Sequence, residues 1–294
     1  PKSELINYLE SIGVEFGGDL NAYTSYDQTV YMLKVPTDNK EQMLKGIQVI
    51  EDWAHLLAFH PEEIDKERGV IIEEWRLGKG ADDRVQRKHN PIIYYKAKHA
   101  KHDVIGDTAV LANFKHETLT RFYKEWYRPE LMAVIAVGDF DVAEIEKEII
   151  NKFSKLEGPK NPKPHNTEEI PFHKETLVSV AKDAELSFPN IQVMMKFNAE
   201  KEGTYKAYRT NIVHSLITEM INKRIAERQR KPNPPFGMFA MSYAGNFVGS
   251  TNTLGVFGLL KSENVEQGVE ASIFELFRAK QHGFSASELE RVKT

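Results

Sequence analysis

The second half of this chain repeats an order of elements, and that order limits the folds open to it. Apolar alternation marks two strands at about Thr176–Lys182 and Asn190–Phe197, followed by a long helix at Tyr205–Gln229. Two more strands follow at about Met238–Gly245 and Thr253–Leu260, then a helix at Val265–Gln281. The first half runs helix, strand, strand, long helix, at Ser3–Ile12, Leu20–Thr24, Thr29–Val35 and Asn39–Phe59. This is the tail of the second-half order, from the Tyr205 helix onward. An internal duplication whose first copy lacks its leading strand pair accounts for both halves. Strand pairs interleaved with helices predict an α+β protein of two related domains, helices packed on mixed sheets.

Glu157-Gly158-Pro159-Lys160-Asn161-Pro162-Lys163-Pro164 marks the boundary. Its three prolines and one glycine cannot sustain a helix or a central strand. The expected domains are 1–157 and 166–294. Within the first, Ser3 is a candidate N-cap and Gly13 ends the opening helix. A helix at Lys115–Trp126 is stopped by Arg128-Pro129. The nearly continuous apolar run Leu131–Gly138 reads as a central strand buried on both faces, and Val142–Phe153 as the next helix. The basic stretch His89–His102 reads as a solvated helix or loop, and Pro232–Gly237 as a rigid connector.

Composition narrows the function. At 294 residues the chain has room for two domains, and its net charge of −4 argues against a general nucleic-acid binder. No apolar run approaches the length of a membrane span. The absence of cysteine excludes disulfides, thiolate nucleophiles and cysteine-ligated metals. The sequence opens without a start methionine and stops soon after a capping-box pattern, Ser285-Ala286-Ser287-Glu288. It reads as a piece of a longer protein.

The densest candidate chemistry lies in Pro61–Arg76. Pro61 suits a first helical turn and Glu62 and Glu63 suit the positive end of the helix dipole. At 100° per residue, Ile64, Glu67, Val70, Ile71 and Glu74 form one stripe, apolar except for its two carboxylates. A buried carboxylate needs a partner, because an unpaired buried charge costs several kcal/mol. The partner is either a cation or backbone N–H, or a metal ion with a supporting carboxylate behind it. The ten histidines do not decide between these. None forms H-E-x-x-H, H-x-x-E-H or H-x-H; His55 and His60 are spaced off one helical face, and His99 with His102 reads as a surface pair. No G-x-S-x-G, P-loop or G-x-G-x-x-G is present.

Asn21-Ala22-Tyr23-Thr24-Ser25 together with Glu67-Arg68-Gly69-Val70-Ile71-Ile72-Glu73-Glu74 resembles the insulinase (M16, pitrilysin-type) zinc peptidases. The resemblance runs on through Pro1–Ile6 and Tyr127–Val134, closely to about Leu156 and more loosely in the second domain. It implies an insulinase-type fold and a zinc metalloendopeptidase. Glu74 matches the family's zinc-ligating glutamate, and Glu67 its supporting catalytic-site carboxylate. Asn21, Ala22, Tyr23 and Thr24 match the edge strand that pairs with an extended peptide, through backbone bonds and side-chain pockets.

The resemblance also implies what this sequence lacks. In the family an H-x-x-E-H helix supplies two zinc ligands and the general base. That motif is expected upstream of Pro1, so Zn²⁺ belongs to the parent protein and should bind this chain poorly. The transition-state residues of the family come from a later half. The expected partners are a peptide or unfolded polypeptide and the C-terminal half of the parent or a partner subunit. A periplasmic or secreted bacterial location follows by analogy. A non-catalytic peptide-binding or scaffold subunit of the same fold is the alternative.

Overall fold

The computed structural model describes residues 2–201, 203–249, 251–262 and 264–293, apart from the side chains of Lys2, Ser3, Asn246 and Ser272. Pro1, part of the opening segment that carries the resemblance, lies outside them. In chain order the elements are α1 (Lys2–Ser11), β1 (Leu20–Thr24), β2 (Thr29–Leu33), α2 (Lys40–His55), α3 (Pro61–Leu77) and α4 (Ala81–Ile93). Then come α5 (Thr108–Asn113), α6 (His116–Trp126), α7 (Val142–Phe153), β3 (Asn190–Asn198) and α8 (Tyr205–Gln229). The chain closes with β4 (Phe236–Val248), β5 (Thr251–Leu260), α9 (Val265–His282) and α10 (Ala286–Glu290). Among the described residues no helix is long and apolar enough to cross a membrane.

The chain forms two compact units, one of Pro1–Gly78 with His102–Asn166 and one of Lys79–Lys101 with Thr167–Thr294. The proline-rich segment belongs to the first. Arg128, 3% exposed, donates from Nη2 to the Lys163 carbonyl at 2.7 Å. The Lys163 ammonium in turn reaches Glu125 at 2.8 Å.

Local chemistry sets the helix starts in the first unit. Asn39 caps α2, its side chain accepting from the amides of Glu41 and Gln42 at 3.0 and 3.2 Å. Asp107 and Asp141 cap α5 and α7 in the same way. Pro61 opens α3. α3 stops at Gly78, and α4 starts after Gly80. β1 and β2 form a two-stranded antiparallel sheet in which Ala22 faces Tyr31 and Tyr23 faces Val30.

The second unit has a three-stranded antiparallel sheet in the order β3-β5-β4. Its core joins Ile221 and Ile225 of α8, Phe236, Phe239 and Met241 of β4, Val256 of β5 and Ala271 of α9. Gly258 is required there, since a Cβ would sit 2.5 Å from the Phe239 ring. α10 starts with the expected capping box, Ser285 and Glu288 bonding reciprocally. Glu288 is also gripped by buried Arg224 of α8 at 2.5 and 2.9 Å.

Three expectations fail. Leu131–Gly138 is no central strand: among the described residues it joins no ladder, and Ile135 and Val137 are 82% and 92% exposed. A strand buried on both faces needs a neighbour on each edge, and the described residues supply none. Thr176–Lys182 is not a strand either, because α4 holds it through side chains instead. His89 Nδ1 lies 2.7 Å from Ser179 Oγ, and Lys88 Nζ donates to the Lys182 carbonyl at 3.2 Å. Arg84 then binds Asp183 and Glu185 just beyond. The side chain of Ser3, the candidate cap of α1, lies outside the described residues. His99 is not a surface residue; it is buried, with its ring 5.9 Å from that of Tyr94.

Candidate functional site

α3 is fixed by one arginine. Arg68 donates from Nη1 to the Leu111 carbonyl and from Nη2 to the Phe114 carbonyl, both at 2.6 Å. It closes on Asp65 from Nε at 3.0 Å. His116 Nε2 lies 2.8 Å from Asp65 Oδ1. The His116 contact, and after it the Arg68 contact, hold the Asp65 carboxyl below the usual carboxylate range. These bonds attach the helix to α5 and to the start of α6.

The face carrying the two carboxylates is more open than its sequence suggests. Ile64 is buried and Ile71 half-buried, but Glu67 and Glu74 are exposed and Val70 is 57% exposed. Apolar spacing therefore overstated the burial of this stripe. A periodic pattern gives direction around a helix; it does not say what lies opposite.

These residues do not make a zinc site by themselves. Seven positions of helix separate Glu67 from Glu74 by roughly 10 Å at 1.5 Å per residue. Zinc–oxygen bonds are about 2.0–2.2 Å, so one ion can take only one of the two. Among the described residues no group of three or more histidine, aspartate or glutamate side chains could hold a metal. Glu74 is at most a single donor.

The other predicted residues lie on the hairpin. Asn21, Ala22, Tyr23 and Thr24 form β1 and are all exposed. Behind β2 stands an aromatic group that sequence reasoning missed. The hydroxyls of Tyr31 and Tyr127 are 2.5 Å apart, and the Tyr31 ring lies 5.9 Å from that of Trp53. Tyr123 donates to the Trp53 carbonyl at 2.7 Å. Burial, with the Tyr127 bond second, pushes the Tyr31 phenol up; burial moves Tyr123 to about 12. Tyr31, Trp53 and Leu57 line an apolar pocket of about 370 Å³ that reaches Leu20 and Ala22. The partners are remote in sequence, Tyr31 from Tyr127 by 96 positions and Arg68 from Phe114 by 46, so no local pattern announces them.

The family described as "Insulinase (Peptidase family M16)" matches residues 1–108, and "Peptidase M16 inactive domain" matches residues 113–294. The chain belongs to peptidase family M16. An Escherichia coli M16 relative, "Probable zinc protease PqqL", is 29% identical over 100% of this chain and 32% of its own length. "Zinc protease PQQL-like" of Arabidopsis thaliana is 31% identical over 83% of this chain and 26% of its own. The first half of the Escherichia coli periplasmic protease PqqL, a crystal structure, superposes with a TM-score of 0.79 at 28% identity. That match covers 99% of this M16 chain and 62% of the other. The chain thus spans about a third of the length of the curated relatives it matches.

Proposed function

We propose that this chain is part of a zinc-dependent metalloendopeptidase, with Glu74 as one zinc-ligating carboxylate and Glu67 as the supporting charge two turns earlier. The M16 match across both units supports the reading, alongside relatives named as zinc proteases. The described residues do not complete a metal site, so the other ligands and the general base come from elsewhere in the parent. The chain contributes the Arg68-anchored helix and the open strand β1, along which a peptide or unfolded polypeptide would pair. Its partner in catalysis is the remaining part of the parent chain or a second subunit. An extracytoplasmic location accords with the periplasmic Escherichia coli relative.

The test is hydrolysis of an unfolded protein such as casein by the full-length parent. Activity abolished by a chelator and restored by zinc supports the reading; activity indifferent to chelation overturns it.

A second reading has its own support. Residues 113–294 match a domain described as inactive, and Glu67 and Glu74 both stand exposed on the face of α3. On this reading the chain is a peptide-binding or scaffold part of the same fold. A full-length parent that binds peptide but carries no zinc would establish it.

A further inference from the structure

A strand at the edge of a sheet has one row of backbone groups with no strand to bond, and other chains can pair there. Among the described residues β4 (Phe236–Val248) is such a strand, since the sheet order is β3-β5-β4 and only β5 pairs with it. Its sequence contains no charged residue and no proline, the usual deterrents to strand addition. A neutral, apolar, β-prone run of this kind has the composition of a self-pairing segment.

Two register shifts interrupt its ladder, one between Phe236 and Met238 and one between Ala244 and Val248. An added strand needs a regular run to match, so the usable stretch is Met238–Ala244. Met241 stands at its middle. There α8 intervenes with a carboxamide. Asn222 Oδ1 accepts from the Met241 N–H at 2.8 Å, and Asn222 Nδ2 donates to the Met241 carbonyl at 3.0 Å. Two turns further along α8, Gln229 Nε2 donates to the Gly237 carbonyl at 2.7 Å, within the first register shift.

Met241 lies opposite Val256 of β5. Opposite residues of an antiparallel pair either exchange both main-chain bonds or turn both outward. Met241 gives both of its groups to Asn222, so its backbone faces the outer edge. One side chain thus presents the donor and the acceptor that a neighbouring strand would present. The Met241 side chain is buried in the core, which keeps this backbone position in place for Asn222.

We propose that Asn222 guards the edge of β4: its carboxamide stands in for a neighbouring peptide group at Met241, and its removal opens β4 to antiparallel pairing with β4 of a second copy of this chain. Gln229 holds the irregular end of the strand. The protection that other edge strands draw from lysine or proline comes here from a helix.

The test compares the 294-residue chain with Asn222→Ala and with Asn222→Ala combined with Ala240→Lys, by light scattering across a concentration series and by circular dichroism. Ala240 is exposed beside Met241, so a lysine there supplies the deterrent that β4 lacks without entering the core. The unaltered chain should show no rise in mass that depends on Asn222. Folded Asn222→Ala should double its mass or more as concentration rises, and the double variant should return to the behaviour of the unaltered chain. Folded Asn222→Ala that gains no mass overturns the proposal, and so does a double variant that associates as strongly as the single one. Hydrogen exchange of the unaltered chain decides the matter if Asn222→Ala fails to fold. The Met241 amide should then be protected to within about tenfold of the Ala240 amide, which alternation turns inward to β5. A Met241 amide that exchanges as fast as open chain overturns the guard.

Discussion

Arg68 binds Phe114 twice: its Nη2 donates to the carbonyl oxygen at 2.6 Å, and its guanidinium lies 3.7 Å from the centre of the ring. The side chain is 14% exposed, so both contacts are largely shielded from water. Lysine cannot reproduce a planar fork that reaches two carbonyls while stacking on a ring. Arg68→Lys should destabilise the protein by about 2 kcal/mol, the scale of a charged hydrogen bond left unmade. Denaturant unfolding checks this, and a loss below about 0.5 kcal/mol would mean that α3 is held by something else.

Acid should loosen α10 through one carboxylate. The Arg224 bonds, and after them the Ser285 amide, hold Glu288 at about 2 against an ordinary 4.5. A depressed carboxyl contributes its stability above the unfolded value and loses it as pH falls toward the folded one. Thermal stability should therefore fall between about pH 4.5 and pH 2, with a shallower fall in Glu288→Gln. At neutral pH Glu288→Ala should cost about 3 kcal/mol, because Arg224 is left buried with 7% of its side chain exposed. Identical acid profiles for Glu288→Gln and the unaltered chain would contradict the assignment.

The exposure of the 131–138 segment makes a contrary kind of prediction. Ile135 is 82% exposed, so Ile135→Thr should change the stability of this chain by less than about 0.5 kcal/mol. The same change in a strand packed on both faces would cost about 2 kcal/mol or more. Chemical denaturation of the two proteins separates these outcomes. A large loss would place the segment in a core and restore what its sequence suggests.

Local signals carried the regular elements. Asn39, Asp141 and Ser285 announce their helices because a cap acts within four residues. The hairpin Leu20–Thr24 and Thr29–Leu33 stands where alternation put it. What stayed hidden depends on partners far along the chain. Leu131–Gly138 has the composition of a central strand, yet composition cannot supply the neighbours a strand needs. Thr176–Lys182 looked like a strand, but Lys88 and His89 of α4 take its polar groups first. Glu67 and Glu74 share a helical face as their spacing requires, yet that face is exposed, and spacing had no means of showing it. Arg68 was visible only as a residue three positions from Asp65, an ordinary surface pairing, and its hold on Phe114 was not.

The most direct test of the central claim is the zinc content of the full-length parent beside its Glu74→Gln variant, with folding followed by circular dichroism. Glu74 is exposed and its carboxylate makes no bond among the described residues, so the substitution should leave folding intact. The unaltered parent should hold about one zinc per chain, and the variant should lose it. A folded variant that keeps its zinc would contradict the ligand assignment.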